Sequence, residues 1–204
     1  TTLAGNLTDS SRFASLVLAD TTNTRFTGPA STTNFTVTNT TFANQQAVSS
    51  AVKISDNENG GPTGLDGSDF FGSSVTTIGD LNGDNIPDLA VGARDDEATS
   101  GGDFAEGAVH ILFMNADGTV SSTVKISDGE NGGPTGLDNG DHFGSAVAPL
   151  GDLNGDGIPD LAVGAEGDRA SSGGDAWEGA IYILFMNADG TVSSTVKISD
   201  GENG

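Results

Sequence analysis

Cysteine is absent from all 204 residues, which removes both a disulfide framework and thiol chemistry. Positive charge is scarce: seven Lys and Arg stand against 29 Asp and Glu, for a formal net charge of −22. A field of that sign repels nucleic acid and anionic lipid and attracts cations. No apolar run approaches the ~20 residues of a membrane helix, so no membrane insertion is expected. No charged segment followed by an apolar stretch opens the chain as a signal peptide would. Long helices are hard to place, because Gly, Pro or Asn interrupts the chain roughly every ten residues. An acidic chain without disulfides needs another staple, and bound metal is the candidate.

What is present is glycine, 31 residues of it, with Val, Ile, Leu and Ala in short bursts between. This composition favours many short strands and tight turns. The charge is uneven. Residues 1–52 hold Asp9 and Asp20 against Arg12 and Arg25, so the entire −22 falls on residues 53–204.

An internal repeat organises the chain. Lys53-Ile-Ser-Asp recurs at Lys125 and Lys197, a period of 72 residues. Residues 53–124 and 125–196 differ at 17 of 72 positions, leaving 55 identical, and residues 197–204 begin a third copy. Each repeat reads as four strands, in the first copy Phe71–Ile78, Leu89–Ala93, Ala108–Met114 and Thr119–Ser127. The last alternates apolar Val120, Val124 and Ile126 with polar neighbours. An Asp-Gly pair before it predicts a hairpin with glycine at positive φ. Residues 1–52 form a different, Thr/Ser-rich segment with 19 Ser or Thr. Val48–Ser55 matches Val120–Ser127 in register, so the segment reads as a degenerate repeat or a connector, with a disordered linker as the alternative. Its sequons at Asn6, Asn34 and Asn39 are glycosylation candidates if the chain is secreted.

The stretch Asp80-Leu-Asn82-Gly-Asp84-Asn-Ile86-Pro-Asp88 carries the clearest chemistry. Oxygen-bearing side chains occupy loop positions 1, 3, 5 and 9, and Ile86 at position 7 offers its carbonyl. A tight loop with that spacing wraps a hard cation in oxygen, calcium above all. Position 6 needs a residue tolerant of positive φ and is Asn85, or Gly157 in the second copy. The second loop supplies Asp152, Asn154, Asp156, the Ile158 carbonyl and Asp160. Two Ca2+ sites are therefore expected. An acidic turn using Asp, Asn and Gly only for their backbone preferences is the competing reading. Val91 and Val163 stand at position 12, and Pro87 and Pro159 bar a helix, so this is no helical EF-hand.

With Phe71-Gly72, the run from Asp80 to Ala93, and Glu106-Gly-Ala-Val, the repeat resembles the FG-GAP repeats of integrin α-subunit β-propellers and their bacterial relatives. The second copy shows Phe143-Gly144, Asp152 to Ala165, and Glu178-Gly-Ala-Ile. The resemblance implies an all-β fold of antiparallel four-stranded blades, in a β-propeller or an open repeat assembly. It also implies calcium on loops at one end of each blade, and adhesion or assembly as the role. Arg94 and Glu166 replace the family's GAP proline, and 72 residues is long for a blade.

Catalysis has little to work with. His110 aligns with Tyr182 and His142 with Phe70, so both histidines read as packing. No Ser–His pairing recurs, and the acids Asp95, Asp96, Glu97, Asp103 and Glu106 read as a solvated loop or further cation ligands rather than a glycosidase pair. The chain is thus expected to be a non-catalytic, extracellular or cell-surface structural or adhesive repeat protein. Its partners would be other copies of itself, further repeats of the same parent chain, or a cell-surface protein or glycan. The alternative is a calcium-stabilised binding appendage of a larger secreted enzyme.

Overall fold

The computed structural model describes residues 50–98, 104–169 and 177–201, all within one compact unit, Val48–Gly204. The three sequons, most of the Thr/Ser-rich segment, and Asp103 and Asp175 lie outside the described residues.

Eight strands form two antiparallel four-stranded sheets, with no helix among the described residues. Sheet 1 takes β1 (Phe71–Gly79), β2 (Asp88–Ala93), β3 (Ala108–Met114) and β4 (Val120–Ile126) in sequence order. Sheet 2 repeats the order with β5 (Phe143–Gly151), β6 (Asp160–Ala165), β7 (Ala180–Met186) and β8 (Val192–Ile198). The central strands β2 and β6 share the sequence DLAVGA and are buried along most of their length, as a near-continuous apolar run requires. The outer strands β4 and β8 keep Ser and Thr in contact with water. The β3–β4 hairpin closes as the sequence predicts: Gly118 has φ +84°, and the Asp117 carboxylate accepts from the Thr119 N–H at 3.0 Å. Gly190 and Asp189 repeat this in sheet 2.

The lysines that open each 72-residue sequence period close a fourth strand instead. Lys125 lies in β4 and Lys197 in β8. The segment after β4 turns back to brace the hairpin of the next sheet, the Val192 N–H donating to the Asn131 carbonyl at 2.8 Å. Residues before sheet 1 do the same through Asn59 and Val120, at 2.9 Å.

The main core lies between the sheets. Val109, Ile111 and Ile126 of sheet 1 pack with Phe143, Leu161, Val163 and Leu184 of sheet 2. Seven of these are 0 % exposed. Backbone approaches backbone where they meet. The Phe143 N–H donates to the Glu106 carbonyl at 2.8 Å, and the Ser74 hydroxyl to the Gly144 carbonyl at 2.8 Å. Gly92 is required there, since a Cβ on it would fall 2.0 Å from the Gly144 oxygen. A smaller apolar group, Val91, Leu112 and Val120, lines the other face of sheet 1.

Candidate metal centre

The acidic loops join β1 to β2 and β5 to β6, at the end of the sheets that also carries the β3–β4 and β7–β8 hairpins. Asp80 organises the first. Its Oδ1 accepts from the Gly83 N–H at 2.8 Å and the Asp84 N–H at 3.0 Å, and its Oδ2 from the Asn85 N–H at 2.8 Å. Asn82 Oδ1 accepts from the Asp84 N–H at 2.9 Å, and Asp84 Oδ1 from the Ile86 N–H at 2.8 Å. Three donors on one carboxylate fold the loop around Asp80. Gly83 and Asn85 supply the positive φ this needs, +81° and +68°.

The second loop superposes this pattern on its own residues. Asp152 accepts from Gly155, Asp156 and Gly157, Asn154 from Asp156, and Asp156 from Ile158, all between 2.7 and 3.0 Å. Asp80, Asn82 and Asp84 are exposed with their counterparts, while Ile86 and Ile158 are half-buried.

Asp88 and Asp160 have a second job that sequence spacing does not reveal. Both are 0 % exposed. Asp88 Oδ2 accepts from the Leu81 N–H at 3.0 Å, and Oδ1 from the Met114 N–H of β3 at 3.0 Å. Asp160 holds Leu153 and Met186 in the same way. Each carboxylate therefore ties its loop to the third strand of the sheet. The recurrence of a buried-strand aspartate beside an exposed loop is the signal that carries this.

The donor set is all oxygen, which suits a hard cation such as calcium. Among the described residues, no Lys, Arg or His forms an ion pair with Asp80, Asp84, Asp88, Asp152, Asp156 or Asp160. The three carboxylates of each loop thus have no counter-charge among the described residues. They do not converge on one point, however; their oxygens are turned on backbone N–H groups and, at Asp84 and Asp156, on the Asn82 and Asn154 side-chain amides.

The one acidic triple whose oxygens come within 4.8 Å of one another, among the described residues, is Asp69, Asp96 and Glu97 at the opposite end. There an ammonium already serves. Lys125 Nζ sits 2.7 Å from Asp96 Oδ1 and also donates to the Glu97 carbonyl, while His110 Nε2 lies 2.8 Å from Asp96 Oδ2. Burial pushes the Asp96 carboxyl up, but the hydrogen bond from His110 and the Lys125 ion pair outweigh it and hold it below the usual carboxylate range. Burial pushes the Asp69 carboxyl up, and the charges of Asp96 and Glu97 add to this. In sheet 2 Lys197 and the Tyr182 hydroxyl take the same places on Asp168, at 2.9 and 2.5 Å. Asp141 is raised as Asp69 is, first by burial.

Asp96 is thus no member of a solvated acidic loop, one of the two readings its sequence allowed. It is 3 % exposed, and Asp168 likewise. His110 and Tyr182 alternate because either reaches the aspartate with a polar atom while its ring packs edge-on against Phe71 or Phe143, at 5.5 and 5.6 Å.

A family model of the FG-GAP repeat matches residues 143–184, and one of the FG-GAP-like repeat matches residues 80–163. These are FG-GAP repeats. Phosphatidylinositol-glycan-specific phospholipase D of Rattus norvegicus is 35 % identical over 125 residues, covering 61 % of this chain and 14 % of that protein. Integrin alpha-5 of Xenopus laevis is 33 % identical over 137 residues, 66 % of this chain and 12 % of its own length. Human integrin alpha-7 is 33 % identical over 139 residues, 65 % of this chain and 10 % of its own. The chain therefore spans about a seventh or less of these relatives. Each FG-GAP unit here is one four-stranded sheet with its acidic loop. Where the family name has proline, Arg94 and Glu166 face each other across the two units, Nη1 to Oε1 at 3.7 Å.

Proposed function

We propose that this chain is a non-catalytic FG-GAP module of an extracellular adhesive or structural assembly, and that each acidic loop holds one Ca2+. The ligands are Asp80, Asn82, Asp84, Asp88 and the Ile86 carbonyl, and Asp152, Asn154, Asp156, Asp160 and the Ile158 carbonyl. The observation that carries the reading is the trio of carboxylates in each loop, none of which forms an ion pair among the described residues, whereas the buried Asp96 and Asp168 at the other end each pair with a lysine. Uncompensated carboxylates within nine residues repel one another, and a divalent cation removes that repulsion. When bound, calcium would supply charge neutralisation and stiffness to the loop end, and Asp88 and Asp160 would pass that stiffness to β3 and β7. Calorimetric titration with calcium is expected to give two sites per chain, and none with Asp84→Ala and Asp156→Ala together. A chain that takes up no calcium refutes the assignment.

The match to a phospholipase D favours a second reading, in which the repeats are a binding appendage of a larger secreted enzyme. The phospholipase shares only 14 % of its length with this chain, so the likeness concerns its repeats. The length of the parent gene product separates the two readings.

A further inference from the structure

The two sheets are near copies in sequence but not in surroundings. One face of sheet 1 is covered by sheet 2; the same face of sheet 2 is open. Val109 is 0 % exposed and its counterpart Ile181 48 %; Ile126 is 0 % and Ile198 36 %. Leu81 is 4 % exposed and Leu153 56 %; Ile78 is 3 % and Leu150 40 %. Four large apolar side chains on one face mark a docking surface rather than scattered surface residues.

The glycines show what shape fits it. A Cβ on Gly92 would strike the Gly144 oxygen at 2.0 Å, and one on Gly107 the Phe143 oxygen at 2.1 Å. At their counterparts the nearest atoms are 3.4 Å from Gly164, its own neighbour Ala146, and 3.5 Å from Gly179. The backbone channel that receives β5 on sheet 1 is thus present again on sheet 2, and none of the described residues fills it. The inserted strand is duplicated as well. Gly144 presses against the Ala108 oxygen, where a Cβ would lie at 2.3 Å, while Gly72 on β1 meets nothing within 4 Å. Val147 packs on the core, whereas its counterpart Val75 on β1 is 58 % exposed.

We propose that the open face of sheet 2, floored by Ile181, Ile198, Gly164 and Gly179, binds the β1 face of a second copy of this chain. The contact repeats the one sheet 2 makes on sheet 1. Phe71 of the incoming copy takes the place of Phe143, and its N–H reaches the Glu178 carbonyl as that of Phe143 reaches Glu106. One bond is lost, because Ala146 stands where Ser74 donates to the Gly144 carbonyl. The surfaces are different patches of the molecule, so the contact is head-to-tail and does not stop at two copies unless a ring closes. This inference rests on the reading of the chain as an assembly unit, but not on calcium.

Two single variants test it, because both positions are free within one chain. Gly164→Ala adds one methyl that the isolated sheet accommodates and the docked strand does not; Val75→Asp puts a charge on the incoming face. Sedimentation of the full 204-residue chain in about 1 mM calcium is expected to show mass rising with concentration beyond two chains. Each variant alone should remain a monomer, with the melting temperature of the wild type at a concentration too low for it to assemble. Mixed in equal amounts they should form a dimer and nothing larger, since one keeps only the incoming face and the other only the receiving face. A wild-type chain that stays monomeric, or a symmetric dimer indifferent to Val75→Asp, overturns the proposal. Calorimetric calcium uptake by the same samples reports on the metal reading separately, so either can fail alone.

Discussion

The two ends of each sheet handle negative charge by opposite means. At the far end, Asp96 and Asp168 are buried and matched by Lys125 with His110, and by Lys197 with Tyr182. At the loop end, Asp80, Asp84 and Asp88 are matched only by neutral dipoles, backbone N–H groups and, on Asp84 Oδ2, the Asn82 side-chain amide at 3.1 Å. A salt-bridged end is complete within the chain. A dipole-compensated end gains most from an ion brought from outside. The same residue type thus builds a fixed clasp at one end and a conditional one at the other.

The sharpest way to break this contrast is at the buried loop anchor. Asp88→Ala leaves the Leu81 and Met114 N–H groups without acceptors, at about 1–3 kcal/mol each. A loss of about 2–6 kcal/mol is expected in urea unfolding, with or without calcium, and Asp88→Asn should recover part of it. A loss that disappears on chelation would make Asp88 a metal ligand only.

At the far end, Asp96→Ala strands Lys125 and His110. Removing one member of a buried pair costs about 3–5 kcal/mol, and the partial exposure of Lys125 should bring this nearer 2–3 kcal/mol. This loss should be indifferent to calcium. Measuring it with and without chelator places the clasp and the loop on separate accounts.

Smaller effects follow at the loops themselves. With dissociation constants of about 10⁻⁴–10⁻³ M, typical of extracellular modules, each site adds roughly 0.4–1.4 kcal/mol at about 1 mM ion. Chelator should lower the melting temperature by the sum, and Asp84→Ala with Asp156→Ala should abolish the response. An unchanged melt would leave the loops as plain turns.

The smallest effect is a pH dependence with two signs. Asp96, held low, contributes stability above its unfolded value that is lost as pH falls through its folded value. Asp69 and Asp141, raised mainly by burial, oppose folding at neutral pH, and that opposition is relieved as pH falls through their raised values. In chelator, the double variant Asp69→Asn and Asp141→Asn should gain less than the wild type as pH is lowered from neutral towards the usual carboxylate range. Equal gains would show that these two burials carry no weight.

Much of the architecture is legible in the chain. Four strands per repeat, the Asp-Gly hairpin and the loop's positive-φ position follow from local rules, since apolar runs, turn residues and periodicity act within a few residues. The anchoring role of Asp88 was not legible, because its partner Met114 is 26 residues away. Nor was the pairing of Asp96 with Lys125, 29 residues apart, although both recur in each copy. The burial difference between Val109 and Ile181 is invisible to any reading of residue type, because it depends on which neighbour is present.

Duplication itself has a kinetic consequence. Strands β2 and β6 are identical in sequence, as are β4 and β8, so during folding either sheet can admit a strand that belongs to the other. Such swapped pairings satisfy every ladder bond and every apolar position within the exchanged strand. The longer connections they impose penalise them, as do unlike side chains elsewhere, among them Ser74, whose hydroxyl has no equivalent at Ala146, and His142, set against Asp95 at 2.8 Å where the other copy has Phe70. Refolding from urea is therefore expected to branch, with a slow phase from chains that must withdraw a misplaced strand before the right one enters. Because the error lies within one molecule, the amplitude of that phase should not change with protein concentration.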